Sequence, residues 1–334
     1  MTTLSRTWRV GAFAAVCVVA AALVAMSLGR ARRDADRQAE GPERAAPLAS
    51  PPSAPFLMFR HLGSNASWGR VAMVPLSAPD GPRYHSPLAC VRVHFAAGRG
   101  LCLTTVGPLG QAVVFDAQFQ PLQTLALTGP PSRARVSSSG HWGAVTVFEQ
   151  GHSYADTAFS TRTSLLDLTG DAGPVNLETF AVFDEERQVR RADVNYWGVT
   201  FAGDDNRFYA TLAFGGTPYL VAGDIARRET RVLLADVECP SLSPDGTRIA
   251  FKRARPLADG GGWQLWVLDL ATRSARALTS ETRSIDDQVE WLDASHILYQ
   301  FPSDDGNNVW IASVDEATPA RRFLTEAWSP AIVR

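Results

Sequence analysis

The chain has 334 residues, and its 46% of hydrophobic and 20% of charged residues predict a largely folded protein of one large or two ordinary domains. Seven arginines and four acids lie in the first 54 residues, so the remaining 25 basic and 30 acidic residues give the rest of the chain a net charge of −5. A mildly acidic folded part argues against nucleic acid as a partner, because phosphate binding depends on clustered cations.

The N-terminus contains an uncharged run of 19 residues, from Val10 to Leu28, which follows two arginines. About 18 or more such residues can span a bilayer as a helix, whereas the apolar part of a secretory signal is about 7–15 residues long. Residues 1–30 are therefore predicted to form a signal-anchor helix. The small residues around Ala25-Met26-Ser27 resemble a cleavage site, which leaves secretion as the alternative.

Arginines flank this run on both sides, so the sequence gives conflicting evidence on orientation. Four follow it and two precede it, and a strict count places the downstream side in the cytoplasm. Large domains that follow an N-terminal signal are usually exported, and we expect the rest of this chain to lie outside the cytoplasm. Residues 31–55, which are rich in Arg, Ala, Glu and Pro, are predicted to be a disordered linker.

The clearest repeat unit covers residues 241–279. Its first part, SLSPDGTRIAF, contains two short strands joined by Pro244-Asp245-Gly246, which favours a tight turn because proline fixes φ and glycine accepts a positive φ. Its second part, WQLWVLDLATRSARALT, alternates apolar and polar residues and turns once before a last short strand. Four strands in about 45 residues are typical of one blade of a β-propeller.

Similar units recur along the chain. In each unit one residue of the third predicted strand, which we call its landmark, occupies an equivalent position. We expect the aspartates among these landmarks to cap turns rather than to bind a ligand. The first unit lacks an innermost strand, and residues 328–334 supply one, which would close a ring without a free edge. Residues 56–334 are therefore predicted to be an all-β, six-bladed propeller. The landmarks are Pro75, Asp116, Asp167, Asp224, Asp269 and Ser313.

The segment SPDGTRIAF followed by QLWVLDLATRSARALT resembles the WD-like repeat of TolB-type six-bladed propellers. The resemblance is strong over residues 239–279, moderate over 285–325 and faint before residue 200. It implies an extracytoplasmic propeller that contacts other proteins. TolB itself has an α/β domain before its propeller, whereas only the linker stands there in this chain, so the resemblance is to a TolB-like protein and not to an orthologue of TolB.

Three cysteines lie outside the N-terminal run, namely Cys90, Cys102 and Cys239, and none belongs to a CxxC pair. This pattern predicts neither a disulfide framework nor a zinc site. Cys90 and Cys102 flank one predicted hairpin, but a turn near Gly98 puts them about three residues out of register, too far apart for a bridge. We therefore expect three buried thiols, with a Cys90–Cys102 bridge as the alternative.

The sequence assigns no catalytic residue. It has no GxSxG nucleophile motif, and Ser137-Ser138-Ser139-Gly140 is expected in a hairpin turn. The histidines show no HxH or HxxxH spacing, so no metal site and no cofactor are predicted. The alternative is a propeller channel that brings several of them together. The histidines are His61, His85, His94, His141, His152 and His296.

Three further features have competing interpretations. The acidic clusters at 203–206 and 303–308 have the residues that turns favour and lack the spacing of a calcium loop. The charged stretch 184–193 is expected to be a solvated loop, with contact to a partner as the alternative. Three tryptophans near turns are expected to pack between blades, with a sugar or peptide platform as the alternative. They are Trp68, Trp142 and Trp197.

The sequence thus favours a non-enzymatic binding or scaffold module of the cell envelope, tethered to the membrane by its N-terminal helix or exported. Its expected partner is an envelope protein or a glycan. The alternative is a glycan- or peptide-processing hydrolase or lyase with its site in the propeller channel, because propellers serve both kinds of function.

Overall fold

The computed structural model describes residues 48–334, apart from 107–108, 152–158, 171 and 305. Regular structure in this part is β, with two short 3₁₀ turns at Leu177–Thr179 and Leu257–Asp259. The predicted membrane span from Val10 to Leu28 and most of the predicted linker lie outside the described residues. Within the described part, no helix is long and apolar enough to cross a membrane.

The strands form six sheets, which are the blades of the predicted all-β propeller. Each innermost strand contacts the innermost strand of the next blade, and the last contacts the first, so the ring is closed. The strands, in chain order, are β1 (Phe56–His61), β2 (Arg70–Pro75) and β3 (Tyr84–Ala89) in blade 1; β4 (Arg92–Ala96), β5 (Arg99–Val106), β6 (Leu109–Asp116) and β7 (Pro121–Ala126) in blade 2; β8 (Pro131–Val136), β9 (Trp142–Gln150), β10 (Ser160–Asp167) and β11 (Val175–Asn176) in blade 3; β12 (Ala181–Asp184), β13 (Arg187–Val189), β14 (Asn195–Phe201), β15 (Arg207–Phe214), β16 (Thr217–Asp224) and β17 (Glu229–Ala235) in blade 4; β18 (Glu238–Leu242), β19 (Arg248–Ala254), β20 (Trp263–Asp269) and β21 (Ala275–Ala277) in blade 5; β22 (Glu290–Trp291), β23 (His296–Ser303), β24 (Gly306–Ser313) and β25 (Arg321–Leu324) in blade 6; and β26 (Ala327–Val333), which returns to blade 1.

The C-terminal strand closes the ring as the sequence predicts. β26 pairs antiparallel with β1, with Phe56 opposite Val333 and His61 opposite Ala327. This pairing gives blade 1 its innermost strand and leaves the main-chain groups of β1 hydrogen-bonded on both sides.

The six landmarks all stand at the last residue of the third strand of their blades. The carboxylates cap the turns that follow: Asp167 accepts the N–H groups of Thr169 and Gly170, each at 2.9 Å. Ser313 plays the same part in blade 6, where its hydroxyl accepts the N–H of Asp315 at 3.2 Å. The predicted capping role is confirmed, and its cause is the tight turn between the third and fourth strands.

The hydrophobic core lies between neighbouring blades. Leu101 and Val114 of blade 2 are almost fully buried and belong to one cluster with Val145 and Leu166 of blade 3. Because side chains alternate across each strand, every blade buries one face against the blade before it and the other against the blade after it.

The predicted separation of Cys90 and Cys102 is wrong. The two form a disulfide with their Cα atoms 5.4 Å apart. The register argument assumed that Cys90 extends β4, but its N–H bonds to Gly69 O at the edge of blade 1. The chain turns at Cys90 from blade 1 into blade 2, and the turn brings it beside Cys102 of β5. Cys239 is a free, buried thiol, as expected.

The charged stretch 184–193 is not simply a loop. Its first half completes a hairpin of β12 and β13, and β12 pairs in parallel with β17, so blade 4 has six strands. Phe183 belongs to this hairpin. The sequence pattern fails here because parallel pairing between strands so distant in sequence leaves no local signal.

Candidate functional site

Two of the innermost strands, β4 and β8, carry basic side chains at every second position. On β4, Arg92 and His94 alternate with Val93 and Phe95, and the apolar pair packs into the core between blades 1 and 2. Side chains on a strand point alternately to its two faces, so the polar pair borders the central channel. The same alternation on β8 and around β22 adds Arg133, Arg135 and Gln288 to the channel and Glu290 to its lower mouth.

The channel has an opening on each face of the ring. The upper mouth, on the face where the innermost strands begin, is a cavity of about 400 Å³ lined by Arg92, Arg133 and Trp328, among others. The lower mouth is a cavity of about 180 Å³ that includes Arg135 and Trp291. Between them only about 30 Å³ is free, which is enough for a water molecule and too small for a substrate.

A buried ion pair fills the lower half of the channel. Arg135 donates to the carboxylate of Glu290, and His94 Nε2 lies 3.5 Å from the same carboxylate. The N–H of Val136 donates to His94 Nδ1 at 3.2 Å, which places the hydrogen of the neutral ring on Nε2. Burial lowers the pKa of His94, so the imidazole is neutral at pH 7. Burial opposes ionisation of Glu290, but Arg135 and His94 outweigh it and lower the pKa of this carboxyl.

A second set of charges fills the upper half. Arg92 Nη1 donates to Gln300 Oε1 at 2.9 Å and lies 3.9 Å from Asp287 Oδ1. Asp287 also accepts the N–H of Gln300 at 3.0 Å. Burial raises the pKa of Asp287, and the charges of Arg92 and Arg133 only partly offset that effect.

The only lysine of the chain lies beneath the upper mouth. Lys252 is fully buried; its ammonium donates to Asp286 and lies 3.6 Å from Glu238 Oε2. Burial alone would raise the pKa of Asp286, but the charges of Lys252 and Arg133 lower it, so this carboxylate is ionised at pH 7. Together these side chains leave only a narrow space between the two mouths of the channel.

A larger cavity of about 760 Å³ lies beside the upper mouth, against blades 4 and 5, and its walls include Trp197, Phe214 and Arg255. The two cavities share an aromatic wall. Phe148 lines the upper mouth, and its ring meets that of Phe159 edge-on at 6.4 Å, while Phe159 lines the side cavity. The upper face thus presents two adjoining depressions over a closed channel.

The histidines that the structure describes do not converge on one site. His61 and His85 lie in blade 1 with ring centres 4.8 Å apart, and only His94 borders the channel cavity. Two others lie at turns of blades 3 and 6, each beside an aspartate, and His152 falls outside the described residues. In the described part of the chain, no three His, Cys, Asp or Glu side chains are grouped as metal ligands.

Other residues that the sequence offered as candidate nucleophiles or metal ligands make hydrogen bonds at turns. Ser139 lies in the turn between β8 and β9 and donates to Asp205. Asp204 accepts the N–H groups of Asn206 and Arg207 at 3.2 and 2.8 Å, which accounts for the first acidic cluster.

The three tryptophans do not form a common platform. Trp68 is 60% exposed in the β1–β2 loop, beside Arg60. Trp142 begins β9 and donates from Nε1 to Asp205 O at 2.9 Å, and Trp197 is buried in β14. They belong to three different blades, and only Trp197 borders a cavity of the upper face.

No protein-family model matches the sequence, and no curated protein matches it. Solved structures match by fold. TolB from Acinetobacter baumannii superimposes with a TM-score of 0.61 over 84% of this chain and 67% of its own, at 16% sequence identity. The fold is that of a TolB-like propeller.

Two further solved structures match the fold of this chain. A chain of a nidogen/laminin complex has a TM-score of 0.58 at 12% identity, over 83% of this chain and 97% of its own. A puromycin-hydrolysing peptidase of Mycobacterium tuberculosis has a TM-score of 0.52 at 11% identity, over 84% of this chain but only 45% of its own. At such identities the likeness establishes the fold and leaves function to the site.

Proposed function

We propose that the chain is a non-enzymatic propeller of the cell envelope that binds a protein partner through its upper face. The observation that carries the proposal is the pair of adjoining cavities there, of about 400 and 760 Å³, over a channel that leaves only a narrow space. Their walls combine aromatic rings with arginines, the side chains that contribute most to binding at protein interfaces.

The upper mouth has the features of an anchor site. Trp328 lies partly exposed at its rim, with the Arg92 guanidinium 5.8 Å from its ring centre. Phe301 and Pro302 form the wall next to it. A partner's side chain that enters this cavity would bury apolar surface against fixed rings, and the closed channel below would stop it from passing through.

Two observations support a place outside the cytoplasm. The Cys90–Cys102 disulfide is of a kind that persists in oxidising compartments and is rare in the cytosol. The uncharged run from Val10 to Leu28 has the length of a membrane anchor. We propose that the anchor holds the propeller at the outer side of the cytoplasmic membrane, or that the chain is secreted after cleavage.

Site-specific photo-crosslinking in cells tests the proposal. A photoreactive phenylalanine analogue replaces Trp328 or Phe301 on the upper face, and Phe201 at the lower mouth is the matched control. We expect one defined protein adduct from the upper positions and none from the control. Equal adducts from both faces, or turnover of a glycan or peptide by the purified chain that is lost in upper-face variants, would overturn the proposal in favour of the hydrolase or lyase alternative.

A further inference from the structure

The narrow space between the two mouths of the channel, which we call the central space, has mostly basic walls. It measures about 30 Å³, and three arginines border it, namely Arg92, Arg133 and Arg135. Among the described residues, Asp287 is the one carboxylate on its walls. Three guanidinium groups and a single acid therefore surround this space.

One of these arginines has a donor that no protein group satisfies. Arg135 is only 9% exposed, and its two Nη atoms donate to Glu290 and to Val289 O, the latter at 3.1 Å. Its Nε is buried and has no hydrogen-bond partner in the described part of the chain. Since both Nη atoms are engaged by blade 6, Nε is the donor that remains for the central space. Buried donors are nearly always paired with an acceptor, so this Nε indicates a small ligand that accepts hydrogen bonds.

The nearest carboxylates outside the central space are shared with other groups. Glu290 pairs with Arg135 at the lower mouth. Asp286 lies 3.8 Å from Arg133 Nη2 at the upper mouth, but it also accepts the ammonium of Lys252. Neither acid borders the central space itself.

Asp287 therefore decides the net charge of the channel. Burial raises the pKa of its carboxyl, and Arg92 Nη1 lies 3.9 Å from its Oδ1, too far for a hydrogen bond. When Asp287 is protonated, the described residues of the channel have one base more than ionised acids. The bases are Arg92, Arg133, Arg135 and Lys252, and the acids are Glu238, Asp286, Asp287 and Glu290.

We propose that the central space binds one small monatomic anion, chloride, which accepts a hydrogen bond from Arg135 Nε. About 30 Å³ holds one or two particles of the size of a water molecule, so a chloride or bromide ion fits and a polyatomic anion does not. The same guanidinium groups repel a metal cation, and a water molecule would leave their charge uncompensated. A partner's side chain is too large for the space, so the inference stands independently of the proposed function.

Bromide is the probe, because it has the charge of chloride and scatters X-rays anomalously. Crystals of the full chain soaked in sodium bromide are expected to show an anomalous peak in the central space, beside Arg135 Nε. Peaks confined to the protein surface, or a water molecule at this position in the bromide crystals, would overturn the proposal.

Thermal unfolding gives a second readout on the unmodified chain. The melting temperature is expected to rise with sodium chloride and then to level off, because an ion that binds only the folded state stabilises it. Sodium gluconate at the same ionic strength is the control for screening, since gluconate is too large for the central space. Identical melting curves in the two salts would also overturn the proposal.

Asp287→Asn tests the charge argument. Asparagine keeps an oxygen for the N–H of Gln300, which Asp287 accepts at 3.0 Å, and removes the negative charge that competes with the anion. Chloride is therefore expected to bind the variant more tightly, by about tenfold or more, as measured from the chloride dependence of the melting temperature. Asp259→Asn, in the exposed 3₁₀ turn of blade 5, is the matched control and is expected to leave that dependence unchanged. An Asp287→Asn chain with unchanged or weaker chloride binding would contradict the site, and the two readouts on the unmodified chain decide the matter if this variant does not fold.

Discussion

The ammonium of the fully buried Lys252 lies 4.1 Å from the centre of the Trp263 ring in blade 5. Trp263 Nε1 donates to Glu238, and Glu238 lies beside the same ammonium. The ammonium of Lys252 thus contacts an aromatic face and two carboxylates. One of these carboxylates, Asp286, lines the upper mouth, and the other, Glu238, lines the side cavity.

Lys252→Met is expected to destabilise the propeller by about 2–4 kcal/mol, because it leaves the carboxylates of Glu238 and Asp286 close together without their cation. Urea unfolding followed by tryptophan fluorescence measures the loss. Adding Glu238→Gln and Asp286→Asn to the lysine variant is expected to restore most of it. A Lys252→Met chain as stable as the unmodified chain would show that the pairing contributes nothing.

Loss of the disulfide is expected to lower stability by about 3 kcal/mol, the value for closed loops of about 15 residues. Cys90 and Cys102 are 12 residues apart and join blade 1 to blade 2. Thermal unfolding of Cys102→Ser tests this, with Cys239→Ala as the control for a buried cysteine outside the bridge.

The redox state of the bridge can be measured in chain purified from its native compartment. Alkylation before and after reduction is expected to label Cys90 and Cys102 only after reduction. Labelling without reductant would contradict the bridge and remove one support for export.

The stability of the interface between blades 3 and 4 is expected to fall as the pH rises. The Glu178 carboxyl accepts the N–H of Thr163 in blade 3 at 3.0 Å and that of Tyr196 in blade 4 at 3.4 Å. Burial raises the pKa of Glu178 from 4.5 to about 7. Because the folded-state pKa exceeds the unfolded one, this contribution is complete below pH 4.5 and is lost as the pH rises through 7.

Glu178→Gln removes the titrating group, so its stability relative to the unmodified chain is expected to improve between pH 5 and pH 8, by on the order of 1–3 kcal/mol. Urea unfolding of both chains at the two pH values gives the comparison. Parallel pH profiles for the Glu178→Gln and unmodified chains would show that another group is responsible.

Removal of β26 is expected to unfold the propeller. A chain that ends at Glu326 leaves β1 with an open inner edge and exposes the apolar surface that Ala331 and Val333 bury. Circular dichroism and limited proteolysis measure the outcome, and Arg334→Ala, which leaves the strand intact, is the control. A truncated chain with native resistance to protease would show that blade 1 is stable without closure.

Much of the architecture could be predicted from sequence because its determinants are local. The Pro244-Asp245-Gly246 turn and the period-two strands around it identify a blade without reference to the rest of the chain. The landmarks Asp167 and Asp269 mark strand ends because a carboxylate there satisfies the next turn's own N–H groups. Even the closure by residues 327–333 could be inferred, since one blade lacked a strand and the last strand lacked a blade.

The charged channel could not be predicted from the sequence, because it depends on tertiary structure. Arg135 and Glu290 are 155 residues apart in the sequence. The charged side chains of β4, β8 and β22 can pair only because the closed ring brings these strands around one axis. The alternation in RVHFA and SRARV was the available signal, but period two describes any half-buried strand and does not say that its polar face meets other charges rather than water. Cys90 and Cys102 show the same limit. The distance between them depends on a change of chain direction between blades 1 and 2, and the pairing register within one hairpin gives no information on that change.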